Sequence, residues 1–314
     1  MKIFLINKKD ASQRLDVYLV LKLKNISRNQ AQKIIRSGRA LINEQTTTPH
    51  YFLKEGDMVK ILEEKNKEEN IASRELKLPL PEIIEDNKEY LIINKPSGLA
   101  AHGGSGGKIR TLADFLIAEY PDFKKIGEDP ARPAIVHRLD KEVSGLMVIP
   151  KTQASFDNLK KQFQERKINK EYLGLVYGKI SEESGIINFP IERSKNGRMA
   201  ALPKIFKGEK TIFGRTAITE FKILKKFINF TFLKIKIKTG RTHQIRTHLL
   251  AYGHPLVGDN LYSTRMTKIK NKKLNLGRVF LVAAKLGFKN LAGEKKEYNT
   301  ELPPELKKLL NKVK

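Results

Sequence analysis

The sequence predicts an α+β protein in which a large domain, built on a mixed and largely antiparallel sheet, follows a small N-terminal α/β domain. Three observations predict it. Two helical stretches and two short strand-like runs fill residues 11–62. A charged stretch poor in aromatic residues, 63–81, then interrupts the apolar pattern as a linker. Residues 82–314 carry strand signals in unequal clusters with scattered helices. A parallel βαβ fold would instead alternate strand and helix at regular intervals.

In the small domain, Leu15, Tyr18, Leu19 and Leu23 recur at helical spacing. A second helix begins at Ser27, a suitable N-cap, buries Ala31, Ile34 and Ile35, and stops near Gly38. Arg28, Lys33, Arg36 and Arg39 are left for its outer face. Residues Arg39–Asn43 and Asp57–Ile61 read as strands, with Lys54–Asp57 turning into the second. In the large domain, Ile83–Ile84 and Tyr90–Ile93 form a hairpin around Asp86–Asn87. Strands follow at Leu146–Ile149, Tyr172–Tyr177, Thr216–Ile223 and the alternating Phe230–Lys238. Thr152 caps a helix carrying Phe156, Leu159 and Phe163, and Thr242–Tyr252 forms another that ends at Gly253.

Composition narrows the function classes. The 61 Lys and Arg against 34 Asp and Glu give a net charge of +27, a long-range positive potential suited to a polyanion, with nucleic acid the leading partner. A lysine-rich compositional bias is the competing explanation. There are no cysteines, which excludes disulfides, thiolate metal ligands and a cysteine nucleophile and fits a reducing cytoplasm. No apolar run approaches the roughly 20 residues of a membrane helix, and the first residues lack a signal-peptide core. A soluble, cytoplasmic protein without membrane contact is expected.

Two polar strings stand out. His137-Arg138-Leu139-Asp140-Lys141-Glu142-Val143-Ser144-Gly145 places a carboxylate between two cations just ahead of a small-residue turn and a strand. About a hundred residues on, Gly240-Arg241-Thr242-His243-Gln244-Ile245-Arg246-Thr247-His248 crowds guanidinium and imidazole groups together. The pair suggests an anionic centre held by cations. On residue chemistry alone, the alternatives are a surface ion pair with Arg138 or Lys141 for Asp140, core packing for Tyr172 and phosphate binding on a basic helix for Arg246; the two motifs together favour a site at Asp140. A metal site is disfavoured, because His243 and His248 are five apart and lack a neighbouring glutamate. The glycine-rich His102–Lys108 segment is a poor match to a phosphate-cradling loop and carries no nucleotide requirement.

These strings, with Asn94-Lys95-Pro96-Ser97-Gly98, Lys170-Glu171-Tyr172 and Gly258-Asp259-Asn260-Leu261-Tyr262, resemble in order and spacing the RluA-type pseudouridine synthases, which isomerise uridine in ribosomal or transfer RNA. Residues 11–62 are similar to the RNA-binding module named after small-subunit ribosomal protein four. The resemblance implies the pseudouridine synthase fold and a cofactor-independent reaction without a metal. It makes Asp140 the nucleophile, Arg246 its ion-pair partner, and Tyr172 the residue that stacks on the target uracil and takes a proton from the sugar. Base flipping follows from the chemistry, with Arg138 beside the vacated position. Arg28, Lys33, Arg36, Arg39 and Arg241 are then RNA-binding residues.

Large-subunit ribosomal RNA is the substrate that the resemblance implies, with transfer RNA the alternative. A noncatalytic RNA-binding ribosome-assembly factor is the rival from another class. Val143 and Val282 stand where the family usually has threonine and often histidine. Losing a hydroxyl at residue 143 removes a candidate hydrogen bond from the aspartate loop.

Overall fold

The computed structural model describes residues 2–23, 26–62, 79–102, 111–129, 132–194, 196–202, 205–206, 209–210 and 214–313. Residues 63–78 of the expected 63–81 linker and residues 103–108 of the glycine-rich 102–108 segment lie outside them. The chain divides into two compact units, Met1–Lys77 and Leu78–Lys314.

In the first unit, β1 (Lys2–Leu5), α1 (Leu15–Lys22), α2 (Arg28–Arg36), β2 (Ala40–Ile42), β3 (Gln45–Thr46) and β4 (Met58–Ile61) build two helices and a four-stranded sheet of order β1-β4-β2-β3. Ser27 caps α2 as its residue type demands: its side chain accepts from the Gln30 amide while the Gln30 side chain accepts from the Ser27 amide. Leu15, Tyr18, Leu19, Ala31 and Ile35 close the core against Ile42, Val59 and Ile61. Below them the carboxylate of Asp16, wholly buried, accepts from Arg14, Arg28 and Gln32. Burial works against that charge, but these hydrogen bonds outweigh it and hold the carboxyl below its usual range.

The second unit holds β5 (Glu82–Asp86), β6 (Tyr90–Lys95), α3 (Leu112–Glu119), β7 (Ser144–Pro150), α4 (Gln153–Gln164), β8 (Asn169–Tyr177), β9 (Ser184–Ile187), β10 (Ile191–Arg193), β11 (Met199–Ala201), β12 (Ile205–Phe206) and β13 (Glu209–Lys210). It continues with β14 (Thr219–Lys226), β15 (Phe230–Ile237), α5 (Gln244–Ala251), α6 (Arg265–Leu274), β16 (Leu281–Lys289), β17 (Lys295–Asn299) and α7 (Pro304–Lys312). Nine strands form one sheet, running β5-β6-β7-β16-β8-β15-β14-β9 with β17 on β16. Every pairing is antiparallel except β7 with β16, so the sheet is mixed and largely antiparallel, an α+β architecture.

Strand alternation distributes the core over both faces of this sheet. Tyr172 and Val176 of β8 pack with Ile245 and Leu249 of α5, while Leu175 and Tyr177 turn to the opposite face beside Leu306 of α7. With both faces covered, all seven residues of β7 are buried. Gly145 of β7 lies opposite Ala283 of β16. Its φ of +125° lies where side chains are rarely tolerated, and a Cβ there would fall 2.3 Å from the Ala283 carbonyl oxygen.

Several boundaries differ from the sequence expectation. The strand expected from Thr216 begins at Thr219, and the helix expected from Thr242 begins at Gln244, because His243 takes a left-handed conformation, φ +54°, at its N-cap. Strands β1 and β3 and helices α3, α6 and α7 are additions.

Candidate active site

Asp140 stands on the loop that leads into β7, and its neighbours on that loop are fixed by the 95–98 segment. The Ser97 hydroxyl donates to the Glu142 carbonyl (2.8 Å) and the Gly98 amide to the Lys141 carbonyl (2.7 Å). Lys95, fully buried, donates its ammonium to the Pro96 and Leu99 carbonyls, both at 2.8 Å. Burial pulls its pKa down to about 7, against the opposing charge of Asp140. The loop therefore keeps its order without a hydroxyl at residue 143: Val143 is buried in the apolar core, and its amide donates to the Asp140 carbonyl (3.1 Å).

The cationic side of the site comes from α5. Gln244 organises the turn before it, accepting from the Thr239 hydroxyl (2.7 Å) and the Arg241 amide (3.1 Å) and donating to the Ile218 carbonyl (3.0 Å). From this helix Arg246, only 2% exposed, reaches Asp140 Oδ2 at 3.4 Å and Glu142 Oε2 at 3.2 Å. Its principal partner is a third acid. Asp259, with no exposed surface, accepts from Nε at 2.7 Å and from Nη2 at 3.0 Å, a bidentate pairing that sequence reasoning did not assign. Burial alone would lower the Arg246 pKa. The hydrogen bonds and charge of Asp259, followed by the charges of Asp140 and Glu142, more than offset it and hold the guanidinium above its ordinary value. Asp259 also accepts from the Leu261 and Tyr262 amides, which fixes it in turn.

His243 completes the ring around Asp140. Its Nε2 lies 3.8 Å from Asp140 Oδ1, and its Nδ1 lies 2.7 Å from the Tyr262 hydroxyl. That hydroxyl also accepts from the Met199 amide (3.2 Å), which fixes its position beside Nδ1. Nε2 is the ring nitrogen that faces the carboxylate. Burial lowers the His243 pKa, which favours the neutral imidazole, although Asp140 opposes the shift. The Tyr262 ring lies beneath the Arg246 guanidinium at 5.1 Å. A sequence signal for both residues existed in the Gly258–Tyr262 string, an acid and an aromatic spaced three apart.

Tyr172 is 5% exposed and lines the same cleft of about 740 Å³ as Asp140, Arg138, His243 and Arg246. Burial, then the charge of Asp140, raises its phenol pKa. Lys170, on the same face of β8, also lines the cleft and sits 4.9 Å above the Phe163 ring, with burial pulling its pKa down to about 8.

Of the residues singled out in the sequence, Asp140, Tyr172 and Arg246 come together, with Arg138 and Arg241 on the cleft wall. Arg138 is exposed, and Arg241 donates to the Thr216 carbonyl (3.1 Å). Arg28, Lys33 and Arg36 are exposed on α2 and Arg39 is half-buried after it. Arg28 has its Nε committed to Asp16 at 3.0 Å. Both ring nitrogens of buried His248 are bonded within the fold, to Thr219 and to the Phe189 carbonyl. Among the described residues no group of histidine and acid side chains is arranged to hold a metal, and no helix is long and apolar enough to cross a membrane.

Comparison with known proteins gives this geometry its context. Residues 89–251 match the family described as RNA pseudouridylate synthase, and residues 13–59 match the S4 domain. The ribosomal large subunit pseudouridine synthase C of Buchnera aphidicola subsp. Schizaphis graminum is 37% identical over 297 residues, 92% of this chain and 89% of that one. The corresponding synthase D of Buchnera aphidicola subsp. Acyrthosiphon pisum is 35% identical over 317 residues, covering 96% and 95%. Among solved structures, human RNA pseudouridylate synthase domain containing 1 superposes with a TM-score of 0.57 at 25% identity, over 72% of this chain and 85% of that one. The chain therefore belongs to the RNA pseudouridylate synthase family and is an isomerase that also carries an S4 domain.

Proposed function

We propose that the protein converts uridine to pseudouridine in large-subunit ribosomal RNA, with Asp140 as the nucleophile and no cofactor. The observation that carries this reading is the Asp140 carboxylate itself, 16% exposed at the cleft and faced by Arg246 at 3.4 Å and His243 at 3.8 Å. An acid so placed is turned toward a substrate with cationic and hydrogen-bonding groups at its back. The ribosomal substrate is supported by the names of the two Buchnera relatives and by the S4 domain.

The reaction transfers the ribose from uracil nitrogen 1 to carbon 5. Asp140 attacks the sugar as the bond to nitrogen 1 breaks, and the detached uracil stays in the cleft and turns. Carbon 5 then takes the sugar back, Asp140 leaves, and the hydrogen on carbon 5 departs as a proton while nitrogen 1 gains one. Atoms balance without oxidant or reductant, so the chemistry calls for no cofactor. Arg246, locked by Asp259, holds Asp140 in place. Tyr172 stacks on the uracil. Its raised pKa keeps the phenol protonated in the resting site. Arg138 lies at the cleft for contact beside the flipped base, and Arg241 with Arg28, Lys33, Arg36 and Arg39 supplies phosphate contacts.

Tritium release from RNA labelled at uridine carbon 5 tests the reading. Release from undermodified large-subunit RNA is expected. Release from bulk transfer RNA alone would reassign the substrate, and release from neither would favour the ribosome-assembly factor.

A further inference from the structure

We infer that the outward face of α6 is a second RNA contact in the isomerase unit, gripping phosphates outside the target nucleotide; this rests on the RNA-isomerase reading above. Among the described helices, only α2 and α6 combine three or more basic residues with no acidic one. α6 carries Arg265, Lys268, Lys270, Lys272 and Lys273 within ten residues. At helical spacing Thr267, Asn271 and Leu274 form its inner side, and Arg265, Ile269, Lys272 and Lys273 form the outer stripe, all four exposed. Among the described residues Arg265, Lys268, Lys272 and Lys273 have no acidic partner.

Like charges three and four residues apart, as in Arg265 with Lys268 and Lys268 with Lys272, weaken a helix. α6 is held by other means. Thr264 and Thr267 form a capping box at its start. Asn271 donates to the Asp259 carbonyl (3.0 Å) and accepts from the Gly258 amide (2.8 Å) and the Tyr177 hydroxyl (2.7 Å). A self-repelling cationic stripe is thus anchored to the same loop whose Asp259 grips Arg246. Lysine bias alone does not produce this, since α7, of similar length, sets Glu305 among its lysines. A phosphodiester backbone matches the stripe: it relieves the repulsion, releases counterions, and needs no sequence readout.

The test compares Arg265→Gln/Lys272→Gln/Lys273→Gln with the control Lys88→Gln/Lys124→Gln/Lys295→Gln. The control removes the same charge from exposed positions elsewhere in the unit. Tritium release and filter binding on ribosomal RNA are followed across a salt series. The α6 variant is expected to raise KM about tenfold with kcat unchanged. The slope of log affinity against log salt should fall by about 2, at roughly 0.7 per phosphate contact. If the α6 variant matches the control in KM and slope, the inference is overturned. If the triple variant fails to fold, Lys272→Gln read by its slope alone decides, with no change in slope overturning the inference. Should the wild type release no tritium, the reaction reading fails, while the binding slopes still judge the surface.

Discussion

Asp259→Asn isolates the contact that locks the centre. Arg246 and Asp259 are 2% and 0% exposed and share two hydrogen bonds, at 2.7 and 3.0 Å. The amide keeps the shape and one acceptor but loses the charge and turns an NH2 group toward guanidinium donors. A charged hydrogen bond contributes about 1.5–3 kcal/mol, and breaking a buried pair outright costs about 3–5 kcal/mol. Asp140 and Glu142 remain as weaker partners at 3.4 and 3.2 Å, so a loss of about 3 kcal/mol is expected. For a unit of this size that lowers Tm by roughly 6–12 °C. Turnover should fall as well, because a guanidinium freed from Asp259 no longer presents a fixed charge to Asp140. Thermal unfolding and tritium release on the same preparation read both effects. A variant within about 2 °C of wild type with full kcat would refute the claim that Asp259 positions Arg246.

Three further outcomes follow from particular contacts. Gly145→Ala places a methyl 2.3 Å from the Ala283 carbonyl at positive φ, so a loss of more than about 4 kcal/mol, seen as insolubility or a collapsed denaturant midpoint, is expected. Burial depresses the pKa of His137, whose Nε2 accepts from the Val148 amide at 3.1 Å. The unfolded state therefore takes up the proton first, and stability is whole above about pH 6.5 and declines below it by up to roughly 1.4 kcal/mol per unit. His137→Gln should flatten urea midpoints between pH 7.5 and 5.5. Tyr172→Phe keeps the ring and leaves no buried group unpaired, so Tm should hold while kcat falls roughly 10²-fold or more with little change in KM.

Local chemistry made much of the fold legible. Ser27 and Thr152 cap their helices because a hydroxyl three residues ahead of a free amide needs nothing distant, and the alternation of Phe230–Lys238 marks a strand. Helix α6 escaped notice because it buries Thr267 and Asn271 through hydrogen bonds, leaving no apolar period to read. Arg246 presents the same difficulty from inside, since α5 is buried from Gln244 through Leu249 and its polar residues look like a surface. The pairing of Arg246 with Asp259 spans thirteen residues and a turn, and the Met199–Tyr262–His243 chain joins three separate segments, so the Gly258–Tyr262 string marks the residues without showing their partners. The two motifs were readable as a centre, and the acid that orders it was not.

Single-turnover tritium release by Asp140→Asn, with RNA affinity measured alongside, tests the central claim most directly. The substitution keeps size and hydrogen-bonding shape while removing the charge that faces Arg246 and His243. RNA binding near the wild-type level with release reduced at least about 10³-fold is the predicted result. Release at the wild-type rate would contradict Asp140 as the nucleophile.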